Sequence, residues 1–290
     1  MRFEKWQALG NDYLIVERDE LPFELTRARI RLLCEGHFGV DSDGVLLLER
    51  SEDRRLVAKL RIYNPDGSEA ELSGNGVREA ILYLRRHGWT DRDEFAIGTA
   101  AGEVRPTITG TDTCRVDMGR ASLTSKDFPN GPPDGRGELD AGGRTWQFRH
   151  VSIGNPQCAI RVDSLEELVG LDLATIGPQI ESDSRFPHRT NVSWYTETEL
   201  NRIRARIFER GVGETLSSGT GATGAAVAHR LRDGAPRIGP PVKVALDGGE
   251  LEVEVGEGLQ VSLTGWARPV YEGRVSDELI NELKELDETE

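Results

Sequence analysis

The fold is decided by the stretch Arg61-Ile-Tyr-Asn-Pro-Asp-Gly-Ser-Glu-Ala-Glu-Leu-Ser73-Gly-Asn-Gly76, which recurs as Arg206-Ile-Phe-Glu-Arg-Gly-Val-Gly-Glu-Thr-Leu-Ser-Ser218-Gly-Thr-Gly221. The two copies align without a gap at an offset of 145 residues, half of the 290-residue chain, and share six identical residues. A second echo relates Ala8-Leu-Gly-Asn11 to Ser152-Ile-Gly-Asn155 at an offset of 144 residues. The sequence therefore predicts two similar half-chains whose Ser-Gly-x-Gly turns build one site that acts on a molecule from two sides.

Length and charge narrow the class of protein. A chain of 290 residues is long enough for two domains of ordinary size, each with its own core. Its 36 basic and 50 acidic residues give a formal charge of −14, which argues against nucleic acid or an anionic membrane as the main partner. The N-terminus has no apolar signal segment, and no stretch is long enough to cross a bilayer. We therefore expect a cytoplasmic protein.

The cysteine content indicates a reduced compartment and no metal centre. Cys34, Cys114 and Cys158 are odd in number and widely spaced, without the spacing of a redox pair or a metal site. The five histidines show no ligand spacing either. We predict three buried free thiols and no bound metal.

Hydrophobic patterns place the repeated turns between strands and helices. Short apolar runs predict strands, at residues 13–16, 45–48, 56–63, 145–151, 242–246, 251–255 and 259–263. Helical patterns cover residues 26–35, 77–87 and 222–232, and glycine or proline stop signals follow the last two at Gly88, Gly234 and Pro236. The charged tail, residues 277–290, predicts a short amphipathic surface helix. Each Ser-Gly-x-Gly thus stands where a strand and a turn lead into a helix.

The balance of elements indicates an α/β (α+β) fold with largely antiparallel sheets. Strands outnumber helices, and hairpin signals such as Asp247-Gly-Gly249 favour antiparallel pairing. The turn-rich stretch 130–137 has no apolar pattern, so it marks a boundary between the halves. We predict four segments: an N-terminal half (1–120), a linker (121–145), a C-terminal half (146–265), and a return segment with the tail (266–290).

The repeated turn has the chemistry of an anion-binding site. A glycine-rich turn that opens a helix presents backbone N–H groups and the positive end of the helix dipole, which together bind carboxylate or phosphate. A serine at such a place is commonly just an N-cap, but its recurrence in both copies favours a functional role for Ser73 and Ser218. Residues 219–224 also fit the dinucleotide pattern G-x-G-x-x-G. No acidic residue follows a second strand about twenty residues on, which disfavours that interpretation.

A longer series of motifs, from residue 1 to about 274, carries a family resemblance. Its members are Gly10-Asn-Asp12, Asn64-x-Asp66-Gly-Ser-Glu69, Ser73-Gly-Asn-Gly-Val-Arg78, Gly154-Asn-Pro156, Asn191 and Glu209-Arg-Gly-Val-Gly-Glu-Thr215. In their order and spacing they resemble the diaminopimelate epimerase family. The resemblance implies two pseudo-symmetric domains, each a mostly antiparallel sheet wrapped around a central helix, with the active site in the cleft between them. It also implies that an amino acid's α-carbon is inverted without a cofactor, by one base that removes a proton and a second that delivers one.

The resemblance also implies roles for individual residues. The amides of Gly74, Asn75, Gly219 and Thr220 would hold the reacting carboxylate. Other substrate groups would be bound by Asn11, Asn64, Asn155, Asn191, Glu209 and Arg210. Ser73 and Ser218 occupy the positions of the two catalytic bases, with Glu209 as a proton acceptor beside Ser218. Because Arg210 and four asparagines suit a second charged amino-acid end, diaminopimelate is the expected substrate. The resemblance also implies a homodimer as the expected assembly.

The chain departs from the family at the bases themselves, which are cysteines in the family. A thiol has a pKa near 8.5, whereas a serine hydroxyl is a far weaker acid and needs an adjacent base. Gln157 stands where the family commonly has histidine, so Ser73 is predicted to lack a basic partner, and Thr223 stands where a further cysteine is frequent. The two serines are either replacements that block turnover or the mark of a natural branch. The change at Gln157 favours the natural branch.

Three functions stay open on the sequence. The first is a cofactor-independent epimerase that interconverts LL- and meso-diaminopimelate, as in lysine and peptidoglycan-precursor biosynthesis. The second is another isomerase or a dehydratase that acts on a different small carboxylate. The third is a ligand-binding homologue that has lost the chemistry.

Overall fold

The computed structural model describes residues 1–232 and 238–286, so Gly234 and Pro236 lie outside the described residues. Its strands are β1 (Arg2–Ala8), β2 (Asn11–Glu17), β3 (Val45–Glu49), β4 (Ala58–Tyr63), β5 (Glu69–Ala70), β6 (Ile97–Thr99), β7 (Gly102–Val104), β8 (Pro106–Ile108), β9 (Thr113–Arg120), β10 (Arg136–Ala141), β11 (Arg144–Ser152), β12 (Pro156–Arg161), β13 (Asn191–Glu199), β14 (Arg202–Glu209), β15 (Gly213–Thr215), β16 (Val242–Leu246), β17 (Gly249–Val255), β18 (Gln260–Trp266) and β19 (Arg268–Arg274). Its α-helices are α1 (Arg27–Cys34), α2 (Gly74–Arg86), α3 (Leu165–Gly170), α4 (Leu173–Glu181), α5 (Gly219–Arg230) and α6 (Asp277–Glu285).

The chain forms two compact units. The first unit comprises residues 1–116 and 265–290, and the second comprises residues 117–264. The C-terminal segment belongs to the first unit because β19 pairs with β1, and Ile280 and Leu283 of α6 enter the core of that unit. The stretch 121–145, expected as a linker, contains β10. Its Leu139 and Ala141 are buried on alternate positions, a pattern that the preceding turn residues obscure in the sequence.

The first unit is built on a sheet in the order β19-β1-β2-β3-β4-β6-β7, with β5 beside β4. The pairs β2/β3 and β4/β6 are parallel, and the other pairs are antiparallel. Helix α2 packs against β1, β2, β3 and β4. Its residues from Asn75 to Leu84 are all buried, so it is the central helix of the unit.

The second unit repeats this succession of strands. Its sheet contains the order β10-β11-β12-β13-β14-β16-β17-β18 and continues to β9, with β15 beside β14, and β12/β13 and β14/β16 are the parallel pairs. Helix α5 packs against six strands, β11 to β14, β16 and β17, and is buried along most of its length. The succession β1-β2-β3-β4-β6-β7 therefore corresponds to β11-β12-β13-β14-β16-β17. The predicted fold class, two pseudo-symmetric mostly antiparallel units with a central helix each, is confirmed.

Identical residues of the repeat form identical contacts. Arg61 donates from Nε and Nη2 to the two carboxylate oxygens of Glu69, at 3.0 and 2.8 Å. Arg206 donates from Nε to Glu214 Oε1 at 2.8 Å. Each pair joins a long strand to the short strand that precedes the Ser-Gly-x-Gly turn. In both units, the repeated arginine and glutamate therefore hold together the two strands that precede the central helix.

Glycines in α5 let the helix lie close to the sheet. A Cβ at Gly221 would come within 2.8 Å of Ile207 Cδ1, and a Cβ at Gly224 would come within 2.8 Å of Gln157 Cβ. Real Cβ atoms do not approach so closely, so both positions require glycine. Tight helix–sheet packing therefore accounts for the glycine pattern that matched a dinucleotide motif.

Most predicted elements are present near their expected bounds. Helix α1 lies within its predicted range, and α2 and α5 each begin three residues earlier than predicted. Gly88 follows α2 with a φ of 68°. Helix α6 covers residues 277–285 of the predicted tail helix, and residues 287–290 lie outside the described part. The turn at Asp247 joins the antiparallel strands β16 and β17. In the described ranges, 1–232 and 238–286, no helix is long and apolar enough to cross a membrane.

Candidate active site

Ser218 lies at the start of α5 in the second unit. Its extended backbone (φ −145°, ψ 123°) makes it the N-cap, and its Oγ accepts a hydrogen bond from Gly221 N at 3.2 Å. The same Oγ donates to Glu209 Oε2 at 3.0 Å. Only 4 % of Ser218 is exposed. The predicted base and its predicted proton acceptor are therefore in direct contact, and the capping role does not exclude the pairing.

Glu209 is held at the end of β14 by a second hydroxyl. Thr215, at the end of the short strand β15, donates from Oγ1 to Glu209 Oε1 at 3.0 Å. Burial raises the pKa of the Glu209 carboxyl above its ordinary value, and the hydrogen bonds from Thr215 and Ser218 partly oppose this. A carboxylate with a raised pKa is a stronger proton acceptor. The β14–β15 hairpin thus supplies Ser218 with a fixed and strengthened base.

The other predicted residues of the second unit form two further groups. Gln157 donates from Nε2 to Asn155 Oδ1 at 2.8 Å, and Asn155 donates from Nδ2 to Thr220 Oγ1 at 3.2 Å. Asn191 accepts at Oδ1 from Arg210 N at 2.8 Å and donates from Nδ2 to Pro156 O at 3.2 Å. Gln157 therefore orients Asn155 beside the start of α5, and Asn191 fixes the backbone of Arg210.

Arg210 and the helix-start amides are the groups suited to anions. The Arg210 side chain is exposed, and its Nη1 donates to His188 O at 2.8 Å. Gly219 and Thr220 are the first two residues of α5, where backbone N–H groups point out of the helix. The second unit thus combines a helix N-terminus, a guanidinium and a serine–carboxylate pair.

Ser73 has the equivalent place in the first unit and a different partner. It is the N-cap of α2, and its Oγ accepts from Gly76 N at 3.1 Å. The hydroxyl of Tyr13 donates to the same Oγ at 3.2 Å. The sequence predicted that Ser73 lacks a basic partner, and the structure places a phenol beside it. Both serines are therefore N-caps with one additional ionisable neighbour.

Asn11 and Asn75 are linked in a chain of polar contacts. Asn75 donates from Nδ2 to Asn11 Oδ1 at 3.2 Å, and Asn11 donates from Nδ2 to Asp43 Oδ2 at 2.8 Å. Arg78, which is fully buried, donates from Nη2 to Asn75 Oδ1 at 2.6 Å and from Nη1 to Gly74 O at 2.8 Å. The first turn of α2, with the amides of Gly74 and Asn75, is thereby fixed from inside the unit.

Asn64 lies apart from this chain of contacts. Its Nδ2 donates to Ser68 Oγ at 2.9 Å, and its backbone closes the turn between β4 and β5 through Ser68 O and Gly67 N. Gly67 has a φ of 81°, which the turn requires. The structure therefore gives Asn64 a turn-forming role and leaves its predicted substrate contact as a prediction.

Glu79 is a buried acid on α2 of the first unit. It follows Arg78 on α2, and both of its carboxyl oxygens are fully buried. Burial raises the pKa of Glu79 well above its ordinary value, and the carboxylates of Asp12 and Asp43 raise it further, while Arg78 opposes them. The environment favours the neutral acid.

The structure adds functional candidates that the sequence analysis did not select. Tyr13, Thr215 and Asp43 each contact a predicted site residue. Tyr13 directly follows the Gly10-Asn-Asp12 motif, and Thr215 ends the Glu209 motif, so their positions were a usable signal. The contact of Asp43 with Asn11 spans 32 positions of sequence, so no local pattern connects these two residues.

None of the three cysteines occupies a base position. Cys34, Cys114 and Cys158 are buried and free, as predicted. Burial raises the pKa of Cys34 and of Cys114 to about 12, and raises that of Cys158 well above its ordinary value. They are therefore protonated packing residues. Among residues 1–232 and 238–286, no group of three or more His, Cys, Asp or Glu side chains could hold a metal ion.

Comparison with known proteins relates both halves of the chain to one family. The family profile of diaminopimelate epimerase matches residues 3–124 and 149–269. The chain is 36 % identical to diaminopimelate epimerase 2 of Nostoc sp. over 286 residues, which covers 96 % of this chain and 97 % of that protein. It is 37 % identical to diaminopimelate epimerase of Pelotomaculum thermopropionicum over 282 residues, covering 94 % and 98 % of the two chains. A Bacillus anthracis phenazine biosynthesis protein has a similar fold, with a TM-score of 0.70 at 18 % identity over 95 % of this chain and 99 % of that one.

Proposed function

Because the chain belongs to the diaminopimelate epimerase family, we propose that it interconverts LL- and meso-diaminopimelate by proton transfer at the α-carbon, without a cofactor. The observation that carries this proposal is the hydrogen bond from Ser218 Oγ to Glu209 Oε2 at 3.0 Å. A serine hydroxyl is a very weak acid and needs an adjacent base before it can take part in proton transfer. Glu209 is that base for Ser218. The serines at both base positions are thereby compatible with turnover.

Several groups of the chain suit recognition of the substrate. The N-termini of α2 and α5 offer backbone N–H groups and dipoles that favour the carboxylate on the reacting carbon. Asn11, Asn75 and Asn155 have amide groups that suit the ammonium and carboxylate of an amino acid. The exposed guanidinium of Arg210 suits the second carboxylate of diaminopimelate, and Asn191 holds the backbone of Arg210.

The proton transfer can be written for Ser218 and Glu209. As the α-carbon loses its proton to Ser218 Oγ, the hydroxyl proton of Ser218 passes to Glu209 Oε2, so one C–H bond and one O–H bond break and two O–H bonds form. The substrate becomes a carbanion stabilised by its carboxylate at a helix N-terminus. Ser73 then delivers a proton to the opposite face of the α-carbon, which completes the inversion.

The cellular setting is part of the same proposal. We infer a cytoplasmic enzyme acting on a free amino acid, since three buried thiols remain unpaired, as is usual in a reducing compartment. A homodimer is the expected assembly, and light scattering of the purified protein measures it.

The proposal is tested with purified protein and each epimer of diaminopimelate in D₂O. We expect LL substrate to yield meso product and meso substrate to yield LL product, with deuterium at the reacting α-carbon. Absence of both inversion and exchange at high enzyme concentration contradicts the proposal. In that case, turnover of another small carboxylic acid would identify a different isomerase or a dehydratase. Tight diaminopimelate binding in calorimetry without exchange would identify a ligand-binding homologue.

A further inference from the structure

We propose that Tyr13 is the proton partner of Ser73, so that the first unit delivers a proton through a Tyr13–Ser73 relay while the Ser218–Glu209 pair removes one. This inference rests on the proposed epimerase function and assigns a new positioning residue to it. Two observations support it: Tyr13 Oη lies 3.2 Å from Ser73 Oγ, and the tyrosine ring is closely packed between neighbouring residues.

The ring of Tyr13 lies in a slot formed by two glycines. A Cβ at Gly44 would come within 2.7 Å of Tyr13 Cε1, and a Cβ at Gly76 would come within 3.4 Å of Tyr13 Cε2. Tyr13 is on β2, between β1 and β3, and only 5 % of it is exposed. The lack of space at both edges restricts the ring and therefore the place of its hydroxyl oxygen. The phenol is positioned before substrate binds.

The two serines are arranged for opposite proton transfers. Ser218 donates its hydroxyl hydrogen to Glu209, which leaves an oxygen lone pair to accept a proton. Ser73 Oγ accepts from both Gly76 N and Tyr13, so neither contact uses the hydrogen of Ser73. A phenol, with an ordinary pKa near 10, is a stronger acid than an aliphatic hydroxyl and is the natural donor in the Tyr13–Ser73 pair. Ser73 is thus the acid and Ser218 the base.

The relay balances as a pair of coupled proton transfers. The carbanion takes the hydroxyl proton of Ser73, and Ser73 Oγ takes the proton of Tyr13 Oη, so two O–H bonds break while one C–H and one O–H bond form. Tyr13 is left as a phenolate and Glu209 as a neutral acid. Glu209 then loses one proton to water and the Tyr13 phenolate takes one from water, which restores the starting state. In the reverse reaction the Tyr13 phenolate accepts a proton through Ser73, and Glu209 donates through Ser218.

The test compares Tyr13→Phe with Glu209→Gln, for each epimer in D₂O, by measuring inversion and α-deuterium incorporation separately. We expect both variants to lose inversion by about 10²-fold or more, the usual contribution of a positioned acid or base. In Tyr13→Phe the intact Ser218–Glu209 pair still exchanges one epimer with retention of configuration. In Glu209→Gln the opposite epimer retains exchange, and that exchange rises with pH because it requires the phenolate.

A matched control is available in the same unit. Tyr63 is buried on β4, and its hydroxyl has no hydrogen-bond partner among the described residues, so Tyr63→Phe removes only an unused hydroxyl. We expect Tyr63→Phe to invert both epimers at the wild-type rate. A merely structural role for Tyr13 would instead lower exchange of both epimers equally, and that result overturns the relay.

The relay and the proposed function fail in different ways. Wild-type protein that neither inverts nor exchanges diaminopimelate contradicts the proposed function. Active wild-type protein together with a Tyr13→Phe variant that inverts within twofold of it contradicts only the relay. As a second measurement, a fluorinated tyrosine at position 13, which lowers the phenol pKa, is expected to shift the alkaline limb of the pH–rate profile to lower pH. An unmoved limb would also overturn the relay.

Discussion

Ser218 Oγ donates to Glu209 Oε2 at 3.0 Å, and this contact joins the start of α5 to the end of β14. The residues lie nine positions apart, on opposite sides of the hairpin that ends in the Ser-Gly-x-Gly turn. The equivalent serine in the first unit, Ser73, accepts a hydrogen bond from the Tyr13 hydroxyl and has no glutamate in this place. The repeat thus preserves the N-cap and changes its neighbour, which gives two similar units different acid–base character.

The pH dependence of inversion is expected to follow Glu209. Since burial raises its pKa and the carboxylate form is the active base, the rate should rise with pH through a limb that lies above the ordinary value for glutamate. Thr215→Val removes a hydrogen bond that lowers this pKa, so the limb should move to higher pH. Pre-steady-state or steady-state rates between pH 5 and 9 measure this, with the exposed Thr198→Val as control. A limb that stays in place or moves to lower pH would refute the role of Thr215.

Restoring thiols at both base positions is expected to accelerate the enzyme. A cysteine has a pKa near 8.5, lowered further at a helix N-terminus, so a Ser73→Cys/Ser218→Cys variant holds a much larger fraction of active base at pH 8. We expect at least a 10-fold increase in inversion, measured by chiral separation of the products. Circular dichroism checks that the variant is folded. A folded variant that is no faster than wild type would show that the bases do not limit the reaction.

Replacing the buried Glu79 is expected to stabilise the protein in a pH-dependent way. Its folded-state pKa is raised, so as pH increases past the unfolded value near 4.3 the unfolded chain releases a proton that the folded chain keeps. The wild type therefore loses stability across that window, by about 1.4 kcal/mol for each unit of pKa difference. Glu79→Gln should be more stable than wild type in urea unfolding, with a gap that widens between pH 4 and pH 8. The exposed Glu52→Gln serves as control, and a gap that is constant or narrows with pH would be inconsistent with a raised pKa.

The two arginines of the repeat are expected to differ in their contribution to stability. Arg61 forms an ion pair with Glu69, and both side chains are more than a third exposed, so Arg61→Gln should cost less than about 1 kcal/mol. Arg206 also donates from Nη1 to the carbonyls of Leu168, Val169 and Leu171 at the end of α3. Arg206→Gln leaves these carbonyls without that donor and should cost about 2–4 kcal/mol. Urea unfolding of the two variants checks this, and equal costs would show that the helix-end contacts contribute nothing.

The sequence predicted the fold because the repeat constrains local and long-range structure together. The serine N-caps, the glycines at the helix starts and the Arg–Glu pairs are local signals, and each appears twice. β10 was missed because its buried residues, Leu139 and Ala141, follow a run of turn residues without an apolar pattern. The partner of Ser73 was missed for a different reason. Tyr13 lies 60 positions away, and only the pairing of β2 inside the sheet brings its hydroxyl to the start of α2.

Exchange of the α-hydrogen of LL- and meso-diaminopimelate in D₂O by wild type and by Ser218→Ala tests most directly whether these serines carry the proton. Wild type should incorporate deuterium at the reacting carbon of both epimers. Ser218→Ala should lose inversion by at least 10²-fold, while calorimetry gives a Kd for diaminopimelate within a few-fold of wild type. Exchange of both epimers at the wild-type rate in Ser218→Ala, or of neither epimer in wild type, would contradict this role of the serines.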